Sequence, residues 1–306
     1  MIRPRPLKKG DNVGLIGTSS PTPKERIKPA IEAMERLGLN VVLGESCKSS
    51  YGFLSGSDEL RANDINMMFK DETIKGIFAI RGGYGCARLL NMIDYENIKK
   101  NPKIFAGYSD VTALHIAFNQ KCKLITFHTP MPATEFYNGV DEYTMEYFKK
   151  NIFSNKHIGR LENALSGGDM KSLVGGKAKG RLVGGNLSLV VSLLSTPYEL
   201  NTKGKILFLE DVDEIPYKID RMLLQLKQSG KFRDASGIIL GKWTNCEASE
   251  GCSSLSLIEI FNQLIASENK PTIYNVSCGH CVPTMSLPLG EEVFIDGDKS
   301  EIVFLK

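Results

Sequence analysis

The sequence contains no apolar run long enough to cross a bilayer, so no membrane partner is expected. Its basic opening, Met1-Ile2-Arg3-Pro4-Arg5-Pro6-Leu7-Lys8-Lys9, lacks the apolar segment and small-residue cleavage site of a secretory signal, which gives an expected cytoplasmic address. Net charge is also scarce. Against 35 Asp and Glu stand 38 Lys and Arg, and a formal +3 over 306 residues is too little to mark a nucleic-acid partner. The seven cysteines are odd in number and scattered, which suits free thiols in a reducing compartment better than a disulfide framework. Cys278 and Cys281 have CxxC spacing, but no second pair stands in ligand register, so they read as a turn of small residues rather than a zinc or redox site. Histidine is sparse, four in all, and no internal repeat is visible.

What is present is an α/β pattern. A chain of 306 residues is long for one hydrophobic core, so two domains are expected. In the first half, short apolar runs at 13–17, 40–43, 76–80, 103–106 and 124–127 alternate with helical patterns at 24–37, 58–69, 87–92 and 111–119. That is how a doubly wound, mostly parallel sheet reads. Residues 1–152 are therefore expected as an N-terminal α/β domain. Residues 153–180, where the pattern dissolves into Ser, Asn, Gly and Lys, are expected as the interdomain crossing. Residues 181–306 are expected as a smaller C-terminal α/β domain, with helices at 187–194, 217–228 and 256–266 and strands at 206–209, 237–240, 272–276, 292–295 and 301–305. The cleft between the two domains is the expected place for an active site.

Gly107-Tyr108-Ser109-Asp110 lies where an apolar run stops and a helical pattern begins. A hydroxyl on such a strand-to-helix turn projects from the sheet beside free N–H groups, as a nucleophile requires; the plainer reading is helix capping. Asp110 supplies the negative charge that a helix start prefers. Upstream, Ile80-Arg81-Gly82-Gly83-Tyr84-Gly85 is another strand end, whose glycines let backbone approach a ligand. An N–H from this loop and that of Asp110 can together serve an oxyanion. As a phosphate loop the segment is deficient, since GxGxxG is incomplete and no Walker lysine follows.

A serine nucleophile needs a base. His115 falls inside the helix after Ser109, where packing is expected, and His157 falls in the crossing. His128 ends a strand of the first domain and is a rival; His280, on the turn Cys278-Gly279-His280-Cys281, can place an imidazole over a cleft from the facing domain. For the carboxylate that orients the base, the run 205–209 leads into Glu210 at an expected strand end. Glu210, Asp211, Asp213 and Glu214 can also be read as a solvated acidic run ahead of the Pro216 helix, or as donors to a hard cation.

The chain resembles the LD-carboxypeptidase family of serine peptidases, which includes muramoyltetrapeptide carboxypeptidases and microcin C immunity hydrolases. Seven collinear segments carry the resemblance: LKKGDNVGLIGTSSP, IRGGYGCARLL, GYSDVTALH, FHTPM, GGNLSLVVSLLSTPYE, LEDVDEIPYKIDRMLLQL and CGHCVPTMSLPLG. It implies a triad of Ser109 on the N-terminal domain with Glu210 and His280 on the C-terminal one, an oxyanion hole from N–H groups near Gly83 and at Asp110, and a homodimer. It implies a small peptide substrate, cut at a bond between an L-centre and a D-centre with release of terminal D-alanine from a murein tetrapeptide. Neither metal nor organic cofactor is implied. GYSD is not the GxSxG elbow, so the α/β-hydrolase fold is not expected. Arg81 is the nearest cation for the substrate's terminal carboxylate, with a loop-bracing salt bridge as its plainer role, and Asn186, within the GGN segment, is expected to line the cleft or shape a turn. A hydrolase of peptidyl-nucleotides conferring self-immunity and a non-catalytic ligand-binding relative are the alternatives.

Overall fold

The computed structural model describes residues 1–249 and 251–305, and the chain divides into two compact units. The first comprises Met1–Lys156 with Ser286–Gly290, the second His157–Met285 with Glu291–Lys306. Each is an α/β assembly around its own sheet. Among the described residues no helix is long and apolar enough to cross a membrane.

In the first unit β1 (Asn12–Ile16), α1 (Lys24–Arg36), β2 (Asn40–Leu43), α2 (Asp58–Lys70), β3 (Ile74–Ala79), α3 (Tyr95–Lys100), β4 (Ile104–Gly107), α4 (Thr112–Ala117), β5 (Thr126–His128) and α5 (Glu142–Ile152) follow in order. The sheet runs from a strand contributed late in the chain, Leu287–Leu289, through β5, β4, β3 and β1 to β2. Every pairing is parallel except that of Leu287–Leu289 with β5. Helices α2, α3 and α5 start where a short polar side chain takes up a first-turn N–H: Ser57 for Leu60, Asp94 for Asn97 and Asp141 for Thr144. Apolar residues cover both faces of the sheet. Met34, Phe78, Phe127 and Phe148 fill one side, and Phe69, Phe105 and Phe118 form a ring cluster with centroids 4.7–6.3 Å apart. Each such ring withdrawn from water contributes roughly 1.5–3 kcal/mol.

The second unit holds β6 (Lys171–Val174), β7 (Lys177–Asn186), α6 (Leu187–Ser192), β8 (Ile206–Val212), α7 (Pro216–Gln228), α8 (Lys231–Asp234), β9 (Gly237–Thr244), α9 (Leu257–Leu264) and β10 (Thr272–Tyr274). After β11, which is the Leu287–Leu289 strand of the first unit, come β12 (Glu292–Asp296) and β13 (Glu301–Phe304). Its seven strands lie in the order β13-β12-β7-β8-β9-β10-β6, parallel from β7 to β10 and antiparallel at both edges.

Residues 153–180, expected as a crossing without regular structure, carry β6 and the start of β7. Lys177, Lys179 and Arg181 point to solvent while Ala178 and Leu182 point inward, so the alternation is there but its outer face is cationic. The ladder to β12 explains that choice. Lys177 meets Asp296 at 3.5 Å and Lys179 meets Glu292 at 3.1 Å.

Candidate functional site

In the first unit β4 ends at Gly107, where a β-carbon would stand 3.1 Å from that of Ala79 and 3.2 Å from Val111 Cγ2, so the strand end is tightly packed. Its carbonyl accepts from Thr129 N at 3.1 Å and lies 2.9 Å from His115 Nε2. The Tyr108 hydroxyl donates to Glu135 Oε1 at 2.6 Å, and Glu135 Oε2 receives Met131 N at 2.7 Å. Held on both sides, the chain turns at Ser109 with φ +65°, a left-handed conformation that costs a non-glycine residue about 1 kcal/mol or more. The helix expected at 111–119 is a single 3₁₀ turn, Ser109–Val111, then the short α4, then a π turn to Cys122. Neither cap position, Tyr108 or Val111, makes a side-chain capping bond.

Asp110 stands in the first turn of this helix, as expected, but does not face solvent. Its carboxylate is buried, accepting from Ser19 Oγ at 2.7 Å and Cys86 N at 2.8 Å. Burial pushes its pKa up, against the pull of those donors. The bond to Cys86 N ties the end of the glycine loop to the Ser109 turn. Gly82 closes the approach: a β-carbon there would lie 3.0 Å from Ser109 Cβ and 3.2 Å from Oγ. Gly83, with φ +125°, backs onto Ser20 instead. Arg81 braces this loop, donating from Nε to Gly82 O at 3.1 Å and from Nη1 to Pro21 O at 3.0 Å. Partial burial and then the charge of Arg26 lower its pKa. No carboxylate salt bridge is needed for that bracing.

The histidines of this unit separate cleanly. His115 is fully buried, and burial lowers its pKa to about 4, so the packing expectation is met by an imidazole bonded to Gly107 O. His128 lies beside Gly107 in the β4–β5 register, buried with its ring 5.5 Å from that of Tyr108.

In the second unit β8 does not stop at Leu209, as expected, but continues to Val212. Its register against β9 shifts between Leu209 and Asp211, and that irregularity re-aims Glu210. Glu210 is fully buried, which excludes the solvated-run reading for it and for Asp211; only Asp213 of that run is exposed. Glu210 Oε2 receives His280 N at 3.2 Å and lies 2.7 Å from His280 Nδ1. A carboxylate at Nδ1 fixes the Nδ1–H tautomer and leaves Nε2 as the basic nitrogen. The Thr244 hydroxyl donates to the His280 carbonyl and Lys242 N to the Cys278 carbonyl, so the His280 turn is fastened to β9.

Asn186 lies beside Glu210 in the β7–β8 register. Its Oδ1 accepts from Leu189 N at 3.3 Å as the cap of α6, and its Nδ2 donates to Asp211 Oδ1 at 2.9 Å. Asp211, raised in pKa by burial, also takes Ser188 N and Oγ. This network was not read from the sequence. The signal available was an acid directly following Glu210 at the end of an apolar run, two residues short of the solvent-facing turn.

His157 stands apart, with Nδ1 3.4 Å from the buried Glu291 carboxylate. Cys278 is fully buried and its thiol is pushed well up by burial, Cys281 is half-buried, and neither is joined in a disulfide. Among the described residues no group of three or more His, Cys, Asp or Glu gathers in metal-binding proximity.

Each unit thus assembles one part of the expected site: Ser109, Asp110 and the glycine loop in the first, Glu210, His280 and Asn186 in the second. Two α/β units, one offering a hydroxyl on a sharp turn and the other a carboxylate-held imidazole, have side chains of the kind a hydrolase uses. The chain belongs to the LD-carboxypeptidase family: the family's N-terminal domain pattern matches residues 13–129 and its C-terminal domain pattern residues 179–295. It is 40% identical over 304 residues, 98% of this chain and 94% of the other, to a probable murein peptide carboxypeptidase of Bacillus subtilis strain 168. Among solved structures it is similar to MccF in complex with glutamyl sulfamoyl guanosine, with TM-score 0.90 and 27% identity over 99% of this chain and 98% of that one. It is also similar to the muramoyltetrapeptide carboxypeptidase from Oxalobacter formigenes, with TM-score 0.84 and 25% identity over 96% and 97%.

Proposed function

We propose that the protein is a serine LD-carboxypeptidase that releases terminal D-alanine from murein tetrapeptides. Ser109 Oγ attacks the carbonyl of the bond between the L- and D-centres while His280 Nε2 takes its proton and then delivers it to the leaving amine. Water, activated by the same imidazole, hydrolyses the acyl-enzyme. Glu210 keeps the imidazole oriented and balances its charge, and N–H groups at Gly83 and Asp110 receive the oxyanion. Arg81 and Asn186 are the substrate contacts, Arg81 for the terminal carboxylate.

The observation that carries this reading is the 2.7 Å contact of His280 Nδ1 with a fully buried Glu210 carboxylate, in a chain 40% identical to a probable murein peptide carboxypeptidase. Mass spectrometry of a murein tetrapeptide incubated with the protein tests it. Loss of D-alanine by the wild type, abolished in Ser109→Ala and indifferent to chelators, is expected. Turnover that survives Ser109→Ala but is lost with a chelator means a metal-dependent hydrolase instead.

The likeness to MccF, a microcin C7 self-immunity protein solved in complex with glutamyl sulfamoyl guanosine, favours one second reading, a peptidyl-nucleotide hydrolase conferring self-immunity. A higher kcat/KM for an aminoacyl-nucleotide than for the tetrapeptide replaces the first reading with it. Tight binding of LD peptides without any turnover identifies a non-catalytic relative. The proposal includes a cytoplasmic homodimer, which light scattering on the purified protein and fractionation of cells check.

A further inference from the structure

Two residues along the chain from Gly82, whose β-carbon position abuts Ser109, the first unit holds one of two aromatic rings that meet each other in solvent. Tyr84 is 54% exposed and Phe53 65% exposed. Tyr84 sits between Gly83 and Gly85, whose φ angles are +125° and +137°. A β-carbon on Gly83 would stand 2.3 Å from Ser20 Oγ, and one on Gly85 2.5 Å from Arg61 Nη1. Tyr84 N also donates to Ser20 Oγ at 3.2 Å. The loop backbone is thereby clamped on both sides, and the tyrosine ring is directed outward. Phe53 rides on a tight turn closed by reciprocal backbone bonds between Tyr51 and Leu54, 2.8 and 3.0 Å. The two rings meet edge to face at 5.5 Å. Arg88, gripped by both oxygens of Asp58, lies next to the Tyr84 side chain and steadies the arrangement from behind.

Apolar surface left in water forgoes about 25 cal/mol per Å² of burial, so a rigid pair of rings at such exposure asks for a covering group. Its position says which. Gly82 abuts the Ser109 hydroxyl, and Tyr84 follows two residues on, within about 7 Å along the chain. If the proposed reaction holds, the leaving D-alanine offers a methyl and a carboxylate, too little to cover two rings. The residue that donates the acyl group must then supply the hydrocarbon.

We propose that Phe53 and Tyr84 form an aromatic shelf that binds the long side chain of the residue preceding the scissile bond, and so set the preference of the enzyme at that position. The inference rests on the carboxypeptidase reading and adds a specificity site to it.

Two tetrapeptides that differ only at the residue before the terminal D-alanine, L-lysine in one and L-alanine in the other, test it. The wild type should favour the lysine peptide by roughly tenfold or more in kcat/KM, mainly through KM, because the methylenes of the longer chain are discriminated on the shelf. In Tyr84→Ala and Phe53→Ala that ratio should collapse towards one, and Tyr84→Phe should keep it. The ratio is its own control, since misfolded protein scales both rates alike. Equal losses on both peptides, or a wild-type ratio near one, overturn the shelf alone. No turnover of either peptide by the wild type overturns the carboxypeptidase reading and the shelf with it.

Discussion

Gly279 approaches Glu210 so closely that a β-carbon on it would stand 2.6 Å from Oε2 and 2.9 Å from Cβ and Cγ. Gly241 on β9 presses from another side, with its own β-carbon position 3.1 Å from Glu210 Cβ. Gly279 also has φ +115°, so any side chain there is strained as well as crowded. Gly279→Ala should push His280 away from its carboxylate and lower kcat by on the order of 100-fold, the usual cost of about 1 Å of misplacement. Steady-state kinetics on an LD peptide check this, with KM expected to change far less.

Ser109 gives a prediction in which activity and stability part company. Ser109→Ala and Ser109→Gly should both be inactive, but only glycine relieves the left-handed backbone at this position. The glycine variant should therefore melt about 2–4 °C above the alanine variant, as about 1 kcal/mol implies for a unit of this size. Calorimetry on the two proteins decides it. An alanine variant that melts higher means the turn stores no strain.

Glu210→Gln retains shape but loses the charge at His280 Nδ1, and kcat should fall by about 10³ to 10⁴. His280→Ala should be as damaging, and combining either with Ser109→Ala should add little, because the three act as a unit. His128→Ala should leave turnover and the acidic limb of the pH profile in place. Should His128→Ala abolish turnover while His280→Ala spares it, the base has been misassigned.

His115 makes stability depend on pH. The imidazole ionises near 6.5 in the unfolded chain but at about 4 when folded, because burial disfavours its charged form. Between those values only the unfolded chain takes up the proton, so this stability is fully present above 6.5 and is lost as pH falls towards 4. The loss amounts to about 3 kcal/mol at about 1.4 kcal/mol per unit. Urea unfolding of the wild type and His115→Gln from pH 7 to 4 checks it: the wild type should lose ground relative to the variant on acidification. Parallel curves would show that His115 does not titrate differently on folding.

Much of this was legible in the sequence because local and tertiary demands agree. The parallel strand β4 and residues 76–79 of β3 are buried on both faces and read as apolar runs, and the acid at Glu210 could be picked out by the run before it. Strands whose outer face carries Lys and Arg, such as the start of β7, hide their alternation in charge. The extension of β8 through Glu210, Asp211 and Val212 was illegible because two consecutive acids look like a solvent-facing turn, and only the register shift and the partners Asn186, Ser188 and His280 make their burial tolerable. The burial of Asp110, which does stand in the first helical turn, was illegible for a related reason: its partner Ser19 is 91 positions away in the chain. The crowding at Gly82, Gly241 and Gly279 is tertiary throughout, and a glycine in a loop gives no sign of what stands next to it.

The strand Leu287–Leu289 has a consequence for anyone who cuts this chain in two. It belongs to the sheet of the first unit, lying antiparallel to β5, although it is encoded some 130 residues after that unit's other elements end. A fragment ending near Lys156 would leave the hydrogen-bonding row of β5 bare, a ready template for self-association. Such a fragment should aggregate when produced by itself and regain solubility on addition of a short peptide spanning 284–291, so the smallest autonomous piece of this protein is not a contiguous one.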